Sequence, residues 1–154
     1  LINQGYAKDQ QAAFEHYLIP FNIPKKKLSP KEGIELINQA KGLAVLAHPS
    51  ILTDERQAIS IEDQLKLFNY MLDQGIDGIE AFYTGYDQAQ VDFYLKLAHK
   101  HQLLITAGSD FHSDGGRVKL GQLGSKFSLP ADIIERLKDR YKDKYGLEPR
   151  PKPA

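Results

Sequence analysis

The sequence predicts an α/β fold in which parallel strands alternate with helices, and two observations carry that expectation. Short runs rich in apolar residues, Leu43–Ala47, Gly78–Phe82 and Leu103–Ala107, are separated by longer segments whose apolar residues recur at helical spacing. Each run also leads into groups capable of chemistry: His48 after the first, Glu80 through Tyr83 at the second, Asp110 and His112 after the third. Folds of this class gather their working groups at the carboxyl ends of the strands.

Taken in order, Ala12, Ala13, Phe14, Tyr17 and Leu18 give helical spacing to a first helix over Ala7–Leu18, ended by Pro20. The stretch Ile19–Leu28, with two prolines and Lys25-Lys26-Lys27, reads as a loop whose lysines form a solvated turn. Ser29-Pro30-Lys31-Glu32 places Ser at an N-cap, Pro at the first helical position and Glu at the third, ahead of the apolar face Ile34, Leu36 and Ile37. Gly42 ends that helix, Leu43–Ala47 is a buried strand, and His48-Pro49 closes it. Ser60-Ile61-Glu62-Asp63 is another capped start, with the helix reaching about Gln74 before Gly75. Strand Gly78–Phe82, a loop through Gly85, and a helix from about Asp87 to His101 follow. The third strand spans Leu103–Ala107, then come a Gly-rich loop over Ser113–Gly124, a helix from about Pro130 to Tyr145, and a Pro-rich, frayed tail over 147–154.

The 154 residues fit one domain, and Lys plus Arg (20) equal Asp plus Glu (20), so no overall field favours nucleic acid or an anionic membrane. The absence of cysteine excludes disulfides, thiolate metal sites and Cys nucleophiles. Apolar runs are too short to span a bilayer and the first residues lack a signal-peptide layout, so a cytoplasmic location is expected. Leu1 rather than Met begins the chain, and the reading is of a segment whose further ligands would lie upstream.

Ser109-Asp110-Phe111-His112 is the most informative short stretch. If the strand before it continues, period-two geometry points Asp110 and His112 the same way. A hard oxygen and a borderline nitrogen together suit Mn²⁺, Fe²⁺ or Zn²⁺. A strand end facing a helix also carries Asp as an N-cap and His as a polar neighbour, and these four residues alone leave both readings open. His99 and His101 sit near a predicted helix end on different faces and read as surface residues, as does His16. Glu80 is either a ligand or, in the alternation Ile79-Glu80-Ala81, directed away from the core. Arg117 and Lys119, just past the Gly115-Gly116 turn, read either as contacts to an anionic substrate or, as is usual for basic residues in exposed loops, as solvated side chains.

Ala47-His48-Pro49, Gly75-Ile76-Asp77-Gly78-Ile79-Glu80 and Gly108-Ser109-Asp110-Phe111-His112, in this order with helices between, resemble the polymerase and histidinol phosphatase (PHP) family. The resemblance covers about residues 1 to 125 and is narrowest to its stand-alone bacterial phosphoesterases, a branch that includes nucleoside 3′,5′-bisphosphate phosphatases. It implies the C-terminal part of a distorted (β/α)₇ TIM-like barrel over 1–146. Up to three divalent ions (Mn, Fe or Zn) would be held by His, Asp and Glu at the strand ends. Carried over by position, His48 matches the family's histidine before proline, and Asp110 and His112 match its final Asp-x-His pair. The family's His-x-His motif and its other ligands would precede Leu1, so this segment is expected to be inactive alone. Two departures stand out: Ser50-Ile51-Leu52 follows His-Pro where many relatives carry Gly-Arg, the nearest Arg being Arg56, and Tyr86 stands where relatives often have His.

The implied activity is metal-dependent hydrolysis of phosphate esters, with nucleotides or short oligonucleotides as candidate substrates. The rivals are a non-catalytic binding module that keeps the barrel, and an amidohydrolase-like barrel acting on carbon–nitrogen bonds. An open sheet edge would also favour association.

Overall fold

A computed structural model describes residues 1–21, 27–50, 60–114, 118–123 and 127–148. Lys25 and Lys26, Arg56, Gly115-Gly116-Arg117 and all of the Pro-rich tail except Leu147 and Glu148 lie outside the described residues.

Helix α1 (Gln10–Ala13) starts at Asp9, whose carboxylate accepts from the Ala12 amide at 2.8 Å, and runs on as a π-helical turn over Phe14–Leu18. The helical run thus ends at Leu18 as expected and starts at Gln10 rather than Ala7; Ala7, Ala12 and Ala13 are buried there while Phe14, Tyr17 and Leu18 stay exposed. Helix α2 (Pro30–Gln39) begins with the expected reciprocal cap, Ser29 bonding the Glu32 amide while Glu32 bonds the Ser29 amide. It stops before Gly42, at a C-cap on Ala40, and Lys41 takes the left-handed turn at φ 59°.

Strand β1 is only Val45–Leu46, shorter than Leu43–Ala47. Before it, the Ala44 amide donates to Asp77 Oδ2 at 2.7 Å instead of entering a ladder. Helix α3 (Ile61–Asp73), strand β2 (Gly78–Tyr83), helix α4 (Gln88–Lys100), strand β3 (Leu104–Gly108) and helix α5 (Ile133–Tyr145) follow, each within a few residues of the expected bounds. β1, β2 and β3 form a parallel sheet in that order, pairing Val45 with Gly78 and Gly78 with Leu104. Gly78 is required by this packing, since a Cβ there would stand 2.8 Å from the Leu104 Cβ.

The core lies between this sheet and the helices. Ile79 and Ala81 of β2 meet Val91, Tyr94 and Ala98 of α4 and Phe68 of α3, all at or near zero exposure. Within it, Tyr94 donates its hydroxyl to Gln64 Oε1 at 2.5 Å, satisfying both polar groups. At the amino-terminal side of the sheet, Lys144 of α5 donates to both oxygens of the buried Asp77 and to Asn38 of α2, pinning α5 beneath the strands. His99 and His16 are exposed as expected, whereas His101 is half-buried with its ring edge-on to Phe68 at 5.4 Å. Among the described residues no helix is long and apolar enough to cross a membrane.

Candidate metal centre

The carboxyl edge of the sheet carries the residues singled out above. β1 leads into His48, β2 ends at Tyr83, and β3 leads through Ser109 to Asp110 and His112. Four non-glycine residues among those described have positive φ. Lys41 and Gln102 follow helix C-caps, where a left-handed residue is ordinary. The other two are His48 (φ 26°) and Asp110 (φ 54°), so backbone strain falls on two of the three expected ligands.

Strand alternation does not bring Asp110 and His112 together, because β3 ends at Gly108 and the left-handed turn at Asp110 breaks the extended path. They meet through the loop itself. His112 Nδ1 lies 2.7 Å from the Asp110 carbonyl and 3.8 Å from its Oδ1. A carbonyl only accepts, so that contact puts the proton on Nδ1 and leaves the Nε2 lone pair of the neutral ring for a ligand. His48 stands across the edge, separated by Tyr83: its ring centroid is 5.4 Å from that of Tyr83, whose hydroxyl donates to Asp110 Oδ2 at 3.4 Å. Among the described residues no three His, Asp or Glu side chains already converge closely enough to hold an ion.

One atom bears on whether a metal fits. His48 Nδ1 is buried and has no hydrogen-bond partner among the described residues, an omission that costs about 1–3 kcal/mol in a folded protein. Two imidazole nitrogens and a carboxylate at one strand edge also form a donor set that borderline divalent ions accept. On both counts the residues present fit a metal.

Glu80, half-buried, is directed at His48: its Oε2 accepts from the His48 backbone N–H at 2.7 Å. Burial raises its carboxyl above the usual range, the His48 N–H opposes that rise, and the Asp110 charge adds to it. Thr84 and Ser109 escaped the sequence reading. Thr84 Oγ1 donates to the Ser109 carbonyl at 3.3 Å and to the Gln122 carbonyl, while Ser109 Oγ accepts from the Gly121 amide at 3.2 Å. Together they tie the segment 118–123 to the strand edge, and only the placement of Ser109 beside Asp110 hinted at it. Lys119, in that segment, is exposed and bonds Gln122 Oε1 through its amide.

Tyr86 is a core residue rather than a substrate-facing one. It is 6 % exposed, stacked on Tyr94 at 5.2 Å, and its phenol is raised above the ordinary value chiefly by burial. Ser50, directly after His48-Pro49, is also buried, at 2 %.

With this edge described, likeness to known proteins becomes informative. No family profile matches the chain. It is 32% identical over 88 residues to a phosphoribosyl 1,2-cyclic phosphate 1,2-diphosphodiesterase of Eggerthella lenta, covering 57% of this chain and 30% of that protein. It is 27% identical over 136 residues to the 5′-3′ exoribonuclease Rnm of Salmonella typhimurium, covering 86% and 44%. A 3′,5′-nucleoside bisphosphate phosphatase of Chromobacterium violaceum is 29% identical over 122 residues, 76% of this chain and 41% of its own. Among solved structures, a Bifidobacterium adolescentis protein assigned as a metal-dependent phosphoesterase superposes with TM-score 0.64 at 29% identity, over 91% of this chain and 47% of that one. These likenesses support the resemblance to the PHP family. A second superposition, TM-score 0.58 at 25% identity over 91% of this chain and 48% of the other, is to an amidohydrolase of C. violaceum solved with sulfate and no metal. The chain thus spans less than half the length of each of these relatives.

Proposed function

We propose that the intact protein is a metal-dependent phosphoesterase and that His48, Asp110 and His112 are metal ligands in it. The observation that carries this reading is the buried Nδ1 of His48, without a hydrogen-bond partner among the described residues, on the same sheet edge as the Asp110–His112 pair. The activities of the relatives, all on phosphate esters or RNA, support it. Nucleotides or short oligonucleotides are the substrate class, and Mn, Fe or Zn, up to three ions, the cofactor. Residues 1–146 contribute to a distorted (β/α)₇ barrel, and the protein works in the cytoplasm.

What a divalent ion supplies when bound is water that ionises near neutral pH and a counter-charge for the phosphoryl oxygens. The chain's own residues prepare the place. Tyr83 orients the Asp110 carboxylate, the Asp110 carbonyl holds the His112 ring with Nε2 free, and the segment tied down by Thr84 fixes the approach from one side.

Likeness to the C. violaceum amidohydrolase favours a second reading, hydrolysis of carbon–nitrogen bonds. The experiment is elemental analysis of the purified intact protein, followed by assays on phosphate monoesters, nucleoside bisphosphates, short oligonucleotides and cyclic amides with added Mn²⁺. Bound metal with phosphate release is the expected result. No metal and no turnover would reject the reading, and turnover of cyclic amides alone would replace it with the second.

A further inference from the structure

We propose that Glu80 is the positioning residue of this centre, holding His48 in place through its backbone, and that Gly108 is glycine to leave the carboxylate room. The proposal rests on reading His48 as a ligand, and three observations of the strand edge lead to it.

The first is an irregularity in β2. Glu80 faces Thr106 and Phe82 faces Ala107, so Ala81 is an extra residue in the ladder. Such a bulge bends a strand and re-aims its side chains. Simple alternation would put Glu80 and Phe82 on one face; here Phe82 is buried, and Glu80 and Tyr83 share the half-buried pattern at the site. The bulge therefore turns Tyr83 to the half-buried side that Glu80 occupies, at the edge where Tyr83 meets Asp110.

The second is the hydrogen bond itself. The β1–β2 ladder ends at Leu46 and Ile79, and the chain turns at His48 with φ 26°. Beyond the ladder the His48 N–H finds a side chain, Glu80 Oε2 at 2.7 Å, in place of a backbone carbonyl. A charge-assisted bond of this length is among the stronger ones available. It fixes the peptide from which the imidazole projects.

The third is on the opposite side. A Cβ built on Gly108 would overlap Glu80 Oε1, while the backbone of Gly108 is not in the left-handed region. Alanine there is acceptable to the main chain and objectionable only to the carboxylate. Glu80 thus bridges the ends of all the strands, touching His48 after β1 and Gly108 two residues before Asp110.

The test uses the full chain and its Glu80→Gln, Glu80→Ala and Gly108→Ala variants, with Mn²⁺ affinity and the His48 amide proton shift measured for each. Loss of a group that orients a ligand costs about ten-fold or more in metal affinity. Glu80→Ala and Gly108→Ala should show that loss and move the His48 amide upfield; Glu80→Gln, which keeps an acceptor, should rescue most of both. Gly108→Ala retains the carboxylate and keeps the result clear of any folding defect in Glu80→Ala. Equal affinity in all four proteins, or a Glu80→Gln loss as large as that of Glu80→Ala with the amide unmoved, would overturn the proposal. Absence of Mn²⁺ binding by the parent chain would contradict the ligand reading of His48 and not the hold of Glu80 on it, which the amide shifts decide alone.

Discussion

Lys144 Nζ lies 2.6 Å from Asp77 Oδ2, the same oxygen that accepts from the Ala44 amide at 2.7 Å, and Asp77 is 5 % exposed. One carboxylate therefore joins α5, the approach to β1 and the approach to β2. Removing one partner of a fully buried pair costs about 3–5 kcal/mol, and with Lys144 23 % exposed the charge left behind is partly solvated, which puts the cost at about 3 kcal/mol or less. Asp77→Ala should lower unfolding stability in urea by that order. Lys66→Ala, which breaks an exposed i,i+4 pair with Glu62, should leave the urea midpoint unmoved.

Glu32 provides a pH-dependent contrast. Its bonds to Ser29 hold its carboxyl below the ordinary glutamate value of 4.5. A folded value below the unfolded one means the cap's contribution is present in full above pH 4.5 and is lost as pH falls through the lower folded value. The stability difference between the parent chain and Glu32→Gln should therefore shrink in acid, as thermal melts across pH would show. A difference that grows on acidification would contradict this sign.

Tyr83 and Tyr86 should separate cleanly despite their proximity. Tyr83→Phe removes the bond to Asp110; at 3.4 Å that bond is long, and a net hydrogen bond is worth about 1 kcal/mol, so the loss in Mn²⁺ affinity should not exceed about five-fold. Tyr86→Phe changes a phenol buried against Tyr94 and should leave Mn²⁺ affinity unchanged. Isothermal titration of the two variants measures both.

How much of this was legible in the residues differs by level. The alternation of elements and the caps at Ser29 and Ser60 were readable because they depend on local patterns: apolar spacing, and a hydroxyl followed by a carboxylate. The gathering of His48, Tyr83, Asp110 and His112 at one sheet edge followed from strand direction. What could not be read depends on contacts between strands. The bulge at Ala81 exists only in the pairing of β2 with β3, and the direction of Glu80, undetermined in the sequence between ligand and outward-facing residue, is fixed by its bond to the His48 N–H across strands. The left-handed turn at Asp110 likewise replaced strand alternation with a loop contact to His112. The first helix reaches Leu18 as its spacing predicted, but its last residues form a π-helical turn with Phe14, Tyr17 and Leu18 exposed, since spacing does not tell which apolar residues find a partner.

The central claim, that His48, Asp110 and His112 bind a divalent ion, is tested most directly by paramagnetic broadening of backbone and imidazole resonances when Mn²⁺ is added to the 154-residue chain. Broadening should centre on those three residues and on Tyr83 between them, and should vanish in His112→Ala combined with Asp110→Ala. Broadening centred elsewhere, or none at millimolar Mn²⁺, would contradict the account.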